Sequence, residues 1–265
     1  MNHYIFHILW IIILLQVIIQ QKLSPIYNLS HNNTSTNSIK ILTYNIHNMP
    51  WHNKNLFLLE NYIEKYDIIF LQEFYTSIFS IKHKLNFIKH INNKYNIITT
   101  DGIASLYNID AGLAIISKYP IKNINFISYQ SCYSVDCFAN KGLLYGDVII
   151  NNETYTIGNT HMNDCKNGCR NKYTKQHLIL QKQNQVLNSF IENNKNKQII
   201  GGDFNYDSSL VENSNLKSIN TSTFIKNKSN IDYFYIKNIN SNTKLNLHKF
   251  NQYSDHYAVS LIIDI

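Results

Sequence analysis

The sequence predicts an α/β fold in which two mixed β-sheets pack as a sandwich, and three observations point there. Short apolar runs of strand length alternate with segments whose apolar residues recur at helical spacing. Two of those runs, Leu143 to Ile150 and Tyr155 to Thr160, are joined by the turn-like Asn151-Asn152 and read as a β-hairpin, against a purely parallel, doubly wound sheet. The length of 265 residues suffices for one large core, and no internal repeat divides it.

In chain order, Ile39 to Tyr44 reads as a strand ending at Asn45. Leu56, Leu59, Ile63 and Tyr66 recur at helical spacing. Asp67 to Leu71 is a compact apolar strand that delivers Gln72 and Glu73 at its C-terminal end. Residues 76–91 carry a looser helical pattern. Ala111 to Ile116 reads as a short buried strand, and Ile121 to Tyr129 as an alternating one. After the hairpin, residues 171–192 form the longest helical candidate. Strands at Gln198 to Gly201, Ile231 to Ile236 and Tyr257 to Ile263 complete the pattern.

The first residues carry a different message. Tyr4 to Ile19 is almost wholly apolar, short of the ~20 residues that span a bilayer. Residues 1–23 therefore read as a signal peptide or signal anchor, with a buried helix as the third option. Residues 24–38, rich in Ser, Asn and Thr, read as a polar linker, leaving 39–265 as the main folded domain. Cys132, Cys137, Cys165 and Cys169 fit export to an oxidising compartment as two disulfides. Cross-pairing between the two loops is geometrically easy, since both lie at one end of the hairpin, and pairing within each loop is open too. Neither pair is C-x₂-C, which disfavours zinc. Sequons at Asn28, Asn32, Asn33, Asn152, Asn220 and Asn227 permit glycosylation. The net charge of +7 is compatible with a polyanionic or membrane-surface partner, but the Asn, Ile, Lys and Tyr bias inflates lysine and weakens that inference. No Arg-rich or aromatic stripe marks a nucleic-acid surface.

Polar residues recur at the ends of the expected strands: Asn45, Glu73, Asn159 with His161, Asp203 with Asn205, Asp232, and Asp255 with His256. Each alone is more often a solvated strand end, a core histidine or a turn cap. Their joint order is what points to chemistry. Asp203 and Asn205, two apart on a strand, would share a face, and Gly201-Gly202 before them would leave room for a ligand. Together with the Asp-His pair they could hold a phosphate, a divalent metal and an attacking water, the equipment of a phosphoester hydrolase.

Thr43-Tyr44-Asn45, Leu71-Gln72-Glu73, Asn159-Thr160-His161, Gly201 to Asn205, Ile231-Asp232-Tyr233 and Ser254-Asp255-His256 resemble the ordered motifs of the endonuclease/exonuclease/phosphatase superfamily. The resemblance implies a four-layer α/β sandwich, two packed mixed β-sheets flanked by helices, of deoxyribonuclease-like type. Asp136 to Gly142, following Ser117-Lys118-Tyr119-Pro120-Ile121, is similar to the Lys-Gly segment of the neutral and bacterial sphingomyelinase branch. The Asn205 to Ile231 stretch is short and polar where bacterial members insert a hydrophobic membrane hairpin, so that device is absent here.

The resemblance implies a Mg²⁺-dependent phosphodiesterase, with Mn²⁺ or Ca²⁺ as substitutes, acting on phospholipid at a membrane surface. It makes Glu73 the principal metal ligand, with Asn45 and Asp255 nearby. His256 would be the general base, oriented by Asp232. Asp203 would position the water or support the base, and His161 would bind phosphate and stabilise the transition state. Asn205, Asn45, Asn159 and Lys141 would complete the phosphate-binding set. Trp51 could touch substrate or simply pack. A secreted deoxyribonuclease-like endonuclease is the alternative substrate reading, followed by a phosphoinositide phosphatase and an inactive binding module.

Overall fold

The computed structural model describes residues 11, 14, 25–27, 36–49, 54–76, 81–101, 109–165, 174–211, 213–226, 228–250 and 253–265. Trp51, Cys169 and nearly all of the apolar leader lie outside them. The strands are β1 (Ile26–Tyr27), β2 (Ser38–Asn48), β3 (Ile68–Phe74), β4 (Asn96–Thr99), β5 (Ala114–Ser117), β6 (Lys122–Ser128), β7 (Gly142–Ile150), β8 (Glu153–His161), β9 (Lys197–Asp203), β10 (Leu216–Lys217), β11 (Asp232–Lys237), β12 (Thr243–His248) and β13 (Ala258–Asp264). The helices are α1 (Glu60–Ile63), preceded by a 3₁₀ turn at Leu56–Leu59, then α2 (Ile81–Ile91) and α3 (Lys175–Asn193). Thr174 caps α3 by accepting the His177 N–H.

Two sheets form. One runs β1-β4-β5-β3-β2-β13-β12 and the other β10-β11-β9-β8-β7-β6. Both are mixed, with β2–β3 and β8–β9 as parallel pairs. The period of two along each strand explains the layering. Ile39 and Ile41 of β2 face the second sheet, while Leu42, Tyr44 and Ile46 face the helices. Between the sheets, Ile41, Phe70 and Leu261 meet Ile157, Ile199 and Phe234. Helices α1 and α2 cover the outer face of the first sheet, and α3 covers that of the second through Leu180, Leu187 and Ile191. The expected four-layer sandwich is the observed fold.

The inward rows change character toward one end. Ile41 is followed on the same face by Thr43 and Asn45, Phe70 by Gln72, and Ile157 by Asn159 and His161. Ile199 gives way to Gly201 and Asp203, and β11 reaches Asp232 from the opposite direction. Cross-strand register sets His161 beside Asp203 and Asp203 beside Asp232. The apolar core is thus capped at one end by converging polar groups.

Some boundaries and elements differ from the sequence reading. Strands β1, β4, β10 and β12 were not expected; each has two to six residues and lies at or next to a sheet edge. Ile26 and Tyr27, in the stretch read as a flexible linker, pair with β4. Cys132 bonds to Cys137 within one loop, so the cross-pairing is not adopted. Cys165 is also disulfide-bonded.

Candidate active site

Asn45 joins the two sheets at the polar end. Its amide donates to Glu73 Oε1 at 3.2 Å and to Asp203 Oδ2 at 2.9 Å. Beyond it the β2 register shifts, and His47 takes a left-handed φ of 49°. That turn aims the His47 imidazole at Glu73 Oε2, 3.1 Å away, and at Asp255 Oδ1, 3.6 Å away. Glu73 has a left-handed φ of 54° as well. Strained backbone at two neighbouring polar residues is the pattern of a site whose geometry is imposed by its surroundings. Burial pushes the Glu73 carboxyl up, but the His47 hydrogen bond and the Lys141 ammonium outweigh it and hold the group well below the usual range.

On the second sheet, His256 Nδ1 sits 2.9 Å from Asp232 Oδ2, and its Nε2 lies 3.7 Å from Asp203 Oδ2. The Ser254-Asp255-His256 turn is built by two bonds: Ser254 Oγ donates to the Asn45 carbonyl and accepts the His256 N–H. Burial alone would lower the His256 imidazole; Asp232 and Asp203 reverse this and raise it to about 10. Burial and the Asp232 charge push Asp203 up to about 7, against the pull of His256. A proton is therefore held within this buried group, and the imidazole is oriented to use Nε2.

The opposite wall is cationic. Lys141 is buried, with Nζ 2.8 Å from His161 Nε2 and 3.2 Å from its Nδ1. Two donors cannot face each other, so the imidazole must accept. Burial, then the Lys141 ammonium, hold His161 well below its usual range and keep it neutral. His161 Nε2 is 3.5 Å from the same Asp203 oxygen that faces His256. Asp203 thus lies between a proton-holding imidazole and a neutral one that faces the Lys141 ammonium.

The residues present fit a hard divalent cation. Glu73 offers an ionised carboxylate, and Asp255, whose carboxyl burial raises but Lys226 and His256 pull down, offers a second. Asp232 Oδ1 and Asp255 Oδ1 are buried without a hydrogen-bond partner among the described residues, which leaves acceptor capacity for a positive ligand. Among the described residues, the His/Asp/Glu group whose donor atoms lie within 4.8 Å of one another is Asp203, Asp232 and His256, a different set from Glu73, Asn45 and Asp255. His256 and Asp232 are already bonded to each other, so oxygen donors at Glu73 suit such an ion better.

Three expectations change. Asn159 is not available to phosphate: its amide donates to the Leu71 and Ala114 carbonyls and its oxygen accepts from Gln72 at 2.6 Å, clamping the sheets one pleat below His161. Gly201 and Gly202 do not clear space for a ligand. A Cβ on Gly202 would lie 2.0 Å from the Thr160 carbonyl oxygen, and one on Gly201 would meet the Phe234 ring at 2.7 Å. Asn205 lies past the strand end with a φ of 51°, its N–H donated to Asp203 Oδ1 and its amide to the Met162 carbonyl, so the two do not share a pleat. It keeps its side-chain oxygen for other contacts.

His47 was not anticipated: its direction comes from the left-handed backbone after Asn45, which the two-residue pleat spacing does not encode. Lys54 was missed too: its ammonium ties the Ile46 carbonyl to that of Tyr253, bracing the turn that carries Asp255. A groove of about 840 Å³ between α3 and residues 127–131 is lined by none of these groups.

The profile of the Endonuclease/Exonuclease/phosphatase family matches residues 42–256. Sphingomyelinase C of Bacillus cereus is 24% identical over 192 residues, 63% of this chain and 57% of that protein. A sphingomyelinase of Dictyostelium discoideum is 30% identical over 105 residues, 38% of this chain and 23% of that protein. The matched regions thus span little more than half of the first relative and under a quarter of the second. Among solved structures, SmcL superposes with a TM-score of 0.68 at 18% identity over 86% of this chain and 99% of that chain. Humanized D. rerio TDP2 superposes with a TM-score of 0.65 at 14% identity over 87% and 100%. These likenesses, at low identity, show a shared fold. The motif order and the profile match together establish that the chain belongs to the Endonuclease/Exonuclease/phosphatase family.

Proposed function

We propose that this chain is a metal-dependent phosphodiesterase of sphingomyelinase type, cleaving sphingomyelin to ceramide and phosphocholine. The observation that carries the reading is the buried Lys141–His161 wall facing the Asp232–His256 pair across Asp203. A phosphodiester between those walls would meet a cation on one side and an imidazole–carboxylate pair on the other. Lys141 belongs to the Asp136 to Gly142 segment that resembles sphingomyelinases, and two curated relatives are sphingomyelinases.

In the proposed reaction His256 first gives up its held proton to solvent, then takes a proton from the attacking water at Nε2 while Asp232 holds Nδ1 and stabilises the imidazolium that re-forms. Asp203 orients the water through its Oδ2. The water oxygen bonds to phosphorus as the bond to the ceramide oxygen breaks, and that oxygen takes up a proton from solvent. Lys141 and neutral His161 hold the charged equatorial oxygens, with the Asn205 side chain beside them. A divalent ion held by Glu73, with Asn45 and Asp255 nearby, would polarise a phosphoryl oxygen and offset its developing charge. Mg²⁺ suits the oxygen donors, and a beta toxin of Staphylococcus aureus with the same fold carries bound magnesium ions. The apolar leader and the disulfides support an exported or membrane-anchored protein.

Sphingomyelin vesicles with Mg²⁺, and with chelator, test the proposal. Phosphocholine release abolished by chelation is expected. No release, alongside metal-dependent cutting of plasmid DNA, would replace it with the nuclease reading.

A further inference from the structure

The Cys132–Cys137 disulfide closes a short segment whose polar and apolar groups point opposite ways. Its polar groups are tied inward. Tyr133 N–H donates to Asn163 Oδ1 at 2.8 Å, and Asp136 accepts from the Asp164 N–H while sitting 3.5 Å from the Lys141 ammonium. The Phe138 carbonyl accepts from Ile109 N–H at 2.7 Å. Its apolar groups are left outside: Val135 is 74% exposed, Phe138 54% and Tyr133 38%. Residues 134–138 form a 3₁₀ turn with no buried side chain, and none of the described residues covers those surfaces.

Their position is as telling as their exposure. Asp136 reaches Lys141, Lys141 reaches His161, and His161 reaches Asp203, so the segment is the outer end of the cationic wall. Across the site, the segment paired with the Ser-Asp-His turn carries Ile225, 45% exposed, and Lys226, 68% exposed and bonded to Asp255. Apolar side chains thus stand on both flanks of the charged cleft, with an ammonium beside one of them.

We propose that residues 132–138 form an interfacial wedge that seats Val135 and Phe138 in a phospholipid surface and presents a headgroup phosphodiester to the Lys141 wall. The proposal rests on the phosphodiesterase reading and deepens it by assigning a membrane contact. A lipid surface fits because a rim of valine, phenylalanine and isoleucine gains from leaving water for acyl chains, whereas a nucleic-acid backbone would call for cations there. The disulfide holds the segment ready, so little ordering entropy opposes insertion.

The test uses the full chain, phosphatidylcholine–sphingomyelin vesicles in EDTA for binding by sedimentation, and a water-soluble phosphodiester with Mg²⁺ for turnover. Val135→Ser with Phe138→Ser should weaken vesicle binding about a hundredfold, roughly tenfold per side chain. The same double variant should keep its circular dichroism and its turnover of the soluble ester. Leu178→Ser, which trims an exposed leucine of α3, should change neither. Unchanged vesicle binding in the double variant would overturn the wedge, as would wild-type turnover of the soluble ester with no vesicle binding. Loss of DNA retention in place of vesicle binding would reassign the surface to nucleic acid and overturn it too. Vesicle binding lost in the variant, with no wild-type turnover of any ester, would support the wedge and sink the phosphodiesterase reading instead.

Discussion

Two buried lysines, Lys84 and Lys141, sit at the same end of the molecule in opposite circumstances. Lys84 uses its ammonium on the Phe74 carbonyl, Thr76 Oγ1 and Asp101 Oδ1, at 2.8, 2.9 and 3.0 Å. Asp101 is in turn bonded by Thr76 and Thr99. Lys141 faces an imidazole at 2.8 Å, with its carboxylate partner Asp136 at 3.5 Å. Around it, His161 is held neutral, Asp203 is pushed up and Asp232 Oδ1 is left without a hydrogen bond among the described residues. The first network is complete and serves the fold, pinning α2 to the end of β3. The second is incomplete in a way that a metal and a phosphate would complete. Burial of charge is common to both; satisfaction of that charge separates scaffold from site.

The largest expected effect falls on the incomplete network. His256→Ala should lower turnover per folded molecule by about 10³-fold or more, read by steady-state hydrolysis. The complete network should respond the other way. Lys84→Met strands Asp101 in the interior and should destabilise the chain by about 3–5 kcal/mol, measured by denaturant unfolding.

A pH effect follows from Asp110, which burial and then the Asp101 charge raise to about 7. A carboxyl raised above its unfolded value favours the folded state when protonated. Its contribution is full below about pH 4 and is lost as pH rises toward 7. Asp110→Asn should flatten the stability profile across that window, by a few kcal/mol at most; an unchanged slope would remove Asp110 from the network. The smallest effect is expected at His47. His47→Ala should weaken Mg²⁺ binding by about tenfold in calorimetry, through loss of the contact that orients Glu73.

Much of this was legible beforehand, for physical reasons. Ile41, Phe70, Ile157 and Ile199 lie in short runs that only a two-faced buried strand explains, and the polar residues following them mark the strand ends. What stayed hidden depends on depth and backbone. Asn159 and His161 share a face, yet Gln72 of the other sheet covers only the deeper one. His47 and Asn205 owe their direction to positive φ values of 49° and 51°, which no pleat periodicity reveals. Whether Cys132 pairs within its loop or across the hairpin depends on loop paths that residue spacing does not encode.

The most direct measurement is a paired one: turnover of a soluble phosphodiester and thermal unfolding for Lys141→Met and Lys84→Met, side by side. Lys141→Met should lose about 10²- to 10³-fold in kcat with its Tm kept or raised, and Lys84→Met should lose Tm while its turnover per folded molecule stays within about tenfold. Lys141→Met with full activity, or with the same loss of Tm as Lys84→Met, would contradict the division between a completed scaffold and an uncompleted site.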